Sequence, residues 1–399
     1  MRVTALETIR LREFPNLLWV RVHGEDGLAG LGETFMAAAA VEAYLHEITA
    51  PLILGEDAFA IDRIARKLSP YLGHRSTGVE IRANSAVDIA LWDLWGKATG
   101  QPLVQLLGGR TRESIRTYNT CAGYRYIRDT RLQKVENWGV GEAEGPYEDL
   151  DAFLNRADEL ALSLLEQGIT GMKIWPFDIA AERSRGHYIA PDELKTALQP
   201  FEKIRKAVGD RMDIMVEFHS LWDLPTAIRI AQALEPYDTF WHEDPVRMDS
   251  LASLKAYAAK SRAPVCASET LGLRAGFRDL FDTGAVGICM LDLSWCGGVS
   301  EAKKIATMAE AWHLPVAPHD CTGPVVLTAS THLSCNVPNA LVQESVRAFY
   351  TGWYTEIVTA LPKVENGMIA PPEGPGLGMD LLPDITSRPD AIVRWSRAG

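Results

Sequence analysis

The sequence predicts an α/β protein, a (β/α) barrel of the TIM type carrying a separate α+β capping domain, on three observations. Its 399 residues exceed what one ordinary core holds, so one large and one small domain are expected. From about residue 116, short apolar runs alternate with amphipathic helical stretches, the pattern of βα units around a parallel sheet. Ionisable residues recur at the ends of those runs, one βα unit apart.

The small domain is assigned to residues 1–115, with 355–399 returning to it, and the barrel to 116–354. VTALETIRL, LLWVRVHG and LAGLGET alternate apolar and polar residues, and GEDG between the last two is a turn signal, so an antiparallel meander is expected. In EIRANSAVDIALWDLWGKATGQP the apolar positions Ala83, Val87, Ala90, Leu91 and Leu94 recur at helical spacing, and Gly100 with Pro102 stops the helix. Eight strand-like runs follow: YNTCA, GMKIWP, DIMVEFH, TFWHEDP, PVCASE, ICMLDL, LPVAPHD and LVQES. Eight such units close a barrel whose active site lies where the strands end. Two connections on that side are long, 123–150 and 177–197, and are candidates for lids or substrate contacts. They carry Arg125, Tyr126, Trp138 and His187, each of which is expected as a solvated or packing side chain.

A net charge of −12 argues against nucleic acid and anionic membrane as partners, because both are met first by basic surface. No stretch of eighteen apolar residues and no signal-like N-terminal layout occurs, so a soluble, cytoplasmic protein is expected. The six cysteines form no CxxC pair and read as small buried hydrophobes.

The strand ends supply Lys173, Glu217, Glu243, Glu269, Asp292, His319 and Glu344, and from Glu217 onward the spacing stays between 23 and 27 residues. Such regularity brings the side chains to one mouth. Carboxylates gathered without a cation repel, so Glu217, Glu243 and Glu269 imply a hard cation with oxygen ligands, Mg²⁺. Zinc is poorly served, since only His219 offers a nitrogen or sulfur ligand nearby. Asp292 and His319 end neighbouring strands, and an aspartate that fixes the imidazole makes His319 a general base. Lys173 is placed to neutralise a substrate carboxylate.

With these motifs in hand, the chain resembles the enolase superfamily, mandelate racemase subgroup, over nearly its whole length. The resemblance is carried by GLAGLGET, SAVDIALWDLWGKATGQPLVQLLGG, HEDP, SET, LDLSWCGGVSEAKKIA, APHDCTGPV, QES and GPGLGMDL. It implies the (β/α)7β form of the barrel, metal ligands at Glu217, Glu243 and Glu269, a base dyad of Asp292 with His319, and Glu344 as an acid or hydrogen-bonding electrophile. It also implies Lys173 as the first lysine of a Lys-x-Lys pair, a homo-oligomer, and cap segments Gly27–Thr34 and Gly73–Thr77 closing over the mouth. Enolase-superfamily sites with a Lys or His base and Mg²⁺ stabilising an ene-diolate are a known case of such tuning.

Two departures from the family pattern stand out: Glu217 replaces the usual aspartate, and Trp175 replaces the second lysine. Loss of that lysine weakens two-base racemisation. His219 lies two residues past Glu217 on what reads as one strand, so both side chains are expected on the same face. This arrangement is similar to acid-sugar dehydratases, where such a histidine assists loss of a hydroxyl. The expected activity is therefore Mg²⁺-dependent dehydration of a small sugar acid to a 2-keto-3-deoxy acid, with Lys173 and Trp175 contacting substrate. The alternative is an epimerase, racemase or cycloisomerase working through the same intermediate. A binding protein without turnover would not need a proton-abstracting pair, and a glycoside hydrolase leaves the dyad and Lys173 unexplained.

Overall fold

The computed structural model describes residues 1–69, 77–126, 128, 130–131, 133–140 and 145–399. Strands β1 (Val3–Leu11), β2 (Leu17–Gly24) and β3 (Ala29–Phe35) form the expected meander. The helix Val79–Thr99 packs across it, and its five predicted apolar positions are all buried. Close packing here depends on Gly30 and Gly32: a Cβ on either would sit 1.9 Å from the carbonyl of Ala90 or Ala86. The two glycines of GLAGLG thus let a strand backbone lie against a helix backbone. Gly100, at φ 68°, ends the helix in the left-handed conformation.

The barrel consists of β4 (Ile115–Thr120), β5 (Gly171–Ile174), β6 (Asp213–Glu217), β7 (Trp241–Glu243), β8 (Val265–Ala267), β9 (Val286–Leu291), β10 (Val316–Pro318) and β11 (Gln343–Ser345). Each of the eight runs predicted as barrel strands overlaps one of these, six of them containing it whole. They pair in parallel in chain order, β11 returns to pair with β4, and a parallel bridge Val316↔Ala340 closes the seam beside β10. Helices cover each crossover up to Pro324–Asn336, but β11 is followed only by the four-residue helix Arg347–Tyr350. The architecture is a modified (β/α)7β barrel with an α+β cap.

Beyond the barrel, β12 (Lys363–Glu365) and β13 (Met368–Ala370) form a hairpin whose second strand runs antiparallel to β4. The chain then re-enters the cap, where β14 (Ala391–Arg397) pairs with β1 over seven residues.

Inside the barrel Tyr118, Met215, Trp241, Cys266, Ile288, Met290, Ala317 and Val342 form one buried apolar plug. Met215 and Glu217, like Trp241 and Glu243, stand two apart on a strand and so share a face. Each glutamate therefore rests on an apolar layer that bars water from below and leaves it open only toward the cap.

Candidate active site

The seven residues predicted at the strand ends converge above this plug. Lys173 is buried and its Nζ lies 2.7 Å from Glu243 Oε1, 2.9 Å from Glu344 Oε1 and 3.4 Å from Glu217 Oε2. Burial opposes the lysine's charge, but Glu243, Glu344 and Glu217 outweigh it and hold the ammonium well above the ordinary lysine range. Burial pushes Glu217 up to about 7, and burial with the charge of Glu217 raises Glu243 well above the carboxylate range. Glu269 runs the other way: against burial, the charge and hydrogen bond of His319 bring it down to about 2. One oxygen from each of Glu217, Glu243 and Glu269 lies within 4.8 Å of the others. A single lysine neutralises this cluster incompletely, and every donor is a hard oxygen. The three glutamates fit a divalent cation of the magnesium class.

His319 Nδ1 lies 2.7 Å from Asp292 Oδ2, while Nε2 faces the cavity 2.8 Å from Glu269 Oε2. The aspartate is fixed in turn, its Oδ1 accepting from the backbone N–H and the hydroxyl of Ser294, both at 2.6 Å. Glu344 accepts from the Thr120 hydroxyl and, at 2.8 Å, from the Asp320 N–H. Burial would raise it, but Lys173 and His319 hold it below its ordinary range.

His219 reaches the same cavity by a route that differs from expectation. β6 ends at Glu217, and His219 and Ser220 have φ of 49° and 56°. The strand has therefore stopped before His219, and strand alternation does not aim its ring. A left-handed turn does, held by the His219 N–H donating to Glu217 Oε1 at 2.6 Å. The imidazole has a carboxylate of its own, Asp178 Oδ2 at 2.7 Å from Nδ1. Burial opposes protonation of His219, yet Asp178 raises its pKa above the ordinary value. Asp178 opens the helix Asp178–Ser184, and no motif or periodicity in the sequence points to it. The site thus holds two Asp–His pairs, each joined through Nδ1.

The cavity is lined by Phe35, Met36, Thr120, Tyr126, Gln133, Lys173, Trp175, Glu217, His219, Glu269, Trp295, His319 and Cys321. Trp175 is buried against Tyr126, Phe153 and His219 and also walls the cavity. Tyr126 and Gln133, joined by a hydrogen bond between the amide and the phenol, bring the connection 123–150 to the mouth. Trp138 is instead buried as part of the main apolar core, and His187 is exposed and paired with Asp223. The connection 177–197 is mostly helical and contributes Asp178. On the cap side the lining comes from Phe35 and Met36, just beyond the predicted Gly27–Thr34; of Gly73–Thr77, residues 73–76 lie outside the described residues. All six cysteines are buried and unpaired, and burial pushes the Cys321 thiol up, which leaves it inert at neutral pH. No helix among the described residues is long and apolar enough to cross a membrane.

Two family descriptions match the chain: the N-terminal domain of mandelate racemase and muconate lactonizing enzyme over residues 4–108, and the enolase C-terminal domain-like family over 156–385. Among curated relatives, a D-galactonate dehydratase of Ralstonia nicotianae is 30% identical over 389 residues, 96% of this chain and 92% of that protein. A D-xylonate dehydratase of Haloferax volcanii is 29% identical over 364 residues, 91% of this chain and 82% of its own. Among solved structures, a mandelate racemase subgroup enolase from Agrobacterium tumefaciens is 60% identical, with a TM-score of 0.88, covering 100% of this chain and 99% of that one. An enolase protein from Sargasso Sea environmental sequencing is 44% identical with the same TM-score, covering 100% and 99%. Cap, barrel and these matches agree: the chain belongs to the enolase superfamily, in its mandelate racemase subgroup.

Proposed function

We propose that this protein is an acid-sugar dehydratase, a hydro-lyase that removes the proton α to a carboxylate and eliminates the β-hydroxyl as water. The observation that carries the reading is the pair of Asp–His dyads opening on one carboxylate-lined cavity, because elimination needs one group to take a proton and another to give one. The dehydratase relatives agree with it.

Lys173 meets the substrate carboxylate and offsets its charge, while Glu344, itself held by Thr120 and the Asp320 N–H, positions the ammonium from 2.9 Å. Glu217, Glu243 and Glu269 would hold Mg²⁺, which when bound supplies a Lewis acid for the growing charge of the substrate carboxylate. His319, with Asp292 bonded to Nδ1, must be neutral to act: once Nε2 has given to solvent the proton it shares with Glu269, it takes the α-proton, and the electron pair of the broken C–H bond passes into the carboxylate as an ene-diolate. His219, held protonated by Asp178, gives its proton to the β-oxygen as the β C–O bond breaks. Water leaves, and the resulting enol tautomerises to a 2-keto-3-deoxy acid. Trp175 walls the site where the subgroup usually has a second lysine.

Purified protein with Mg²⁺, offered a panel of mono- and diacid sugars, is expected to form semicarbazide-reactive keto acids from one or a few. The same two dyads favour a second reading, epimerisation with each histidine serving one face of the α-carbon. Deuterium entering the α-carbon from D₂O without any keto product would select it.

A further inference from the structure

One seam between cap and barrel runs through three consecutive residues at the end of β3, two of which dock on the turn Ser294–Trp295 beside Asp292. Glu33 accepts at Oε1 from the Val326 N–H at 3.0 Å, in the helix that follows β10. The Thr34 hydroxyl donates to the Ser294 carbonyl at 3.3 Å, and the Phe35 carbonyl accepts from Trp295 Nε1 at 3.2 Å. Ser294 and Trp295 belong to the short turn that also fixes Asp292, and Trp295 N–H donates to the Asp292 carbonyl at 3.1 Å.

The indole of Trp295 lies on the His319 ring, with centroids 5.4 Å apart and planes 28° from parallel. The Arg82 guanidinium, in the first turn of the cap helix, stands 4.6 Å from the centroid of the same indole, and its Nη1 donates to the same Phe35 carbonyl. Directly after Phe35, Met36 and Ala37 have φ of 68° and 53°, a costly conformation for side-chain-bearing residues that persists only where surroundings impose it. Phe35 and Met36 in turn line the cavity.

We propose that Trp295 is a positioning residue that sets the plane of the His319 imidazole and, through the Phe35 carbonyl, ties that plane to the docking of the cap. His319 is held at Nδ1 by Asp292 and at Nε2 by Glu269, but Nε2 must leave Glu269 to meet a substrate proton, and the bond at Nδ1 alone then leaves the ring free to swing. Stacking on an indole removes that freedom. The indole is itself held by two cap groups, the Phe35 carbonyl and Arg82, so one side chain serves both the docking of the cap and the alignment of the base.

The proposal rests on reading His319 as the proton-abstracting group, and its test keeps the two apart. Trp295→Phe keeps an aromatic platform and loses the hydrogen bond to Phe35; Trp295→Ala loses both. For the Ala variant, kcat for α-proton exchange in D₂O is expected to fall about a hundredfold, the usual cost of an ångström-scale misplacement. The Phe variant should keep kcat within about threefold while KM rises by up to about tenfold, one hydrogen bond's worth of cap docking.

The structural readout needs no turnover: the downfield shift and slow solvent exchange of the His319 Nδ1 proton bonded to Asp292, followed by NMR on histidine-labelled protein, should be kept in the Phe variant and lost in the Ala variant. Arg82→Met, which leaves the barrel interior untouched, should raise KM alone and guards against an unfolded Ala variant. Unchanged His319 shifts in Trp295→Ala, or equal loss of exchange in the Phe and Ala variants, would overturn the proposal. If the wild-type protein exchanges the α-proton of no acid on the panel, the dehydratase reading falls, while the His319 shifts still decide the positioning role.

Discussion

Replacing Asp178 by Asn removes the charge beside His219 while keeping the size of the side chain and an acceptor for Nδ1. The pair is buried and its hydrogen bond is 2.7 Å long. A hydrogen bond to a charged partner contributes about 1.5–3 kcal/mol, and at about 1.4 kcal/mol per decade the protonated form of His219 loses a factor of ten to about a hundred. Elimination should slow by that factor. Proton abstraction should not, because the contact of Asp292 with His319 Nδ1 is untouched. The sign of the pH effect follows as well. Asp178 raises the pKa of His219, so its loss lowers that pKa, and the alkaline limb of kcat for elimination moves to lower pH. The assay measures keto-acid formation with semicarbazide and, on the same samples, deuterium entry at the α-carbon by NMR. Equal loss of exchange and elimination would refute the division of labour between the histidines, and so would elimination at the wild-type rate.

His319→Asn should abolish exchange and elimination together, scored by the same two assays. Lys173→Met leaves Glu217, Glu243 and Glu344 without their shared cation; breaking such a buried group costs about 3–5 kcal/mol, so melting in EDTA should come well below wild type, and added Mg²⁺ should recover more of the loss than it adds to wild type. EDTA should stop turnover of any acid found on the panel and Mg²⁺ restore it, which keto-acid formation reads directly. His332, which accepts from the Val104 N–H at Nδ1, is pushed down to about 4 by burial; its neutral form is favoured by folding, so stability is complete above about pH 6.5 and falls by about 3 kcal/mol as pH drops toward 4. Urea midpoints across that range, with His332→Gln showing a shallower fall, check it.

The barrel was legible because each strand is a short apolar run ending in an ionisable group, so one pattern announced both the element and the site. Glu217, Glu243, Glu269, Lys173, Asp292 and His319 all come from those ends, and each stands at the mouth where the pattern put it. What escaped prediction lies where the chain leaves regular structure or where distant segments meet. His219 was placed in the cavity for a reason that fails, since a positive-φ turn and not strand alternation aims it. Asp178 begins a helix with nothing to distinguish it from a solvated first-turn acid. Trp295 and Phe35 are 260 residues apart, and no local pattern encodes a contact at that distance. Gln133 and Tyr126 sit in a long connection whose path depends on packing against the finished barrel.

The pairing of β14 with β1 constrains how this chain can be made. Ala5 is registered against Arg397, so an edge of the cap sheet stays open until almost the whole described chain has left the ribosome. Until then β1 exposes a row of unpaired backbone groups, a template for pairing with other chains. The barrel strands, which join neighbours in sequence, can close without that wait. Synthesis should therefore pass through a species with a formed barrel and an unfinished cap, in which the β3 docking seam has no stable sheet behind it. Deleting the last seven paired residues would hold the protein in that condition, aggregation-prone and with its buried carboxylate cluster already assembled beneath an ill-fitting lid.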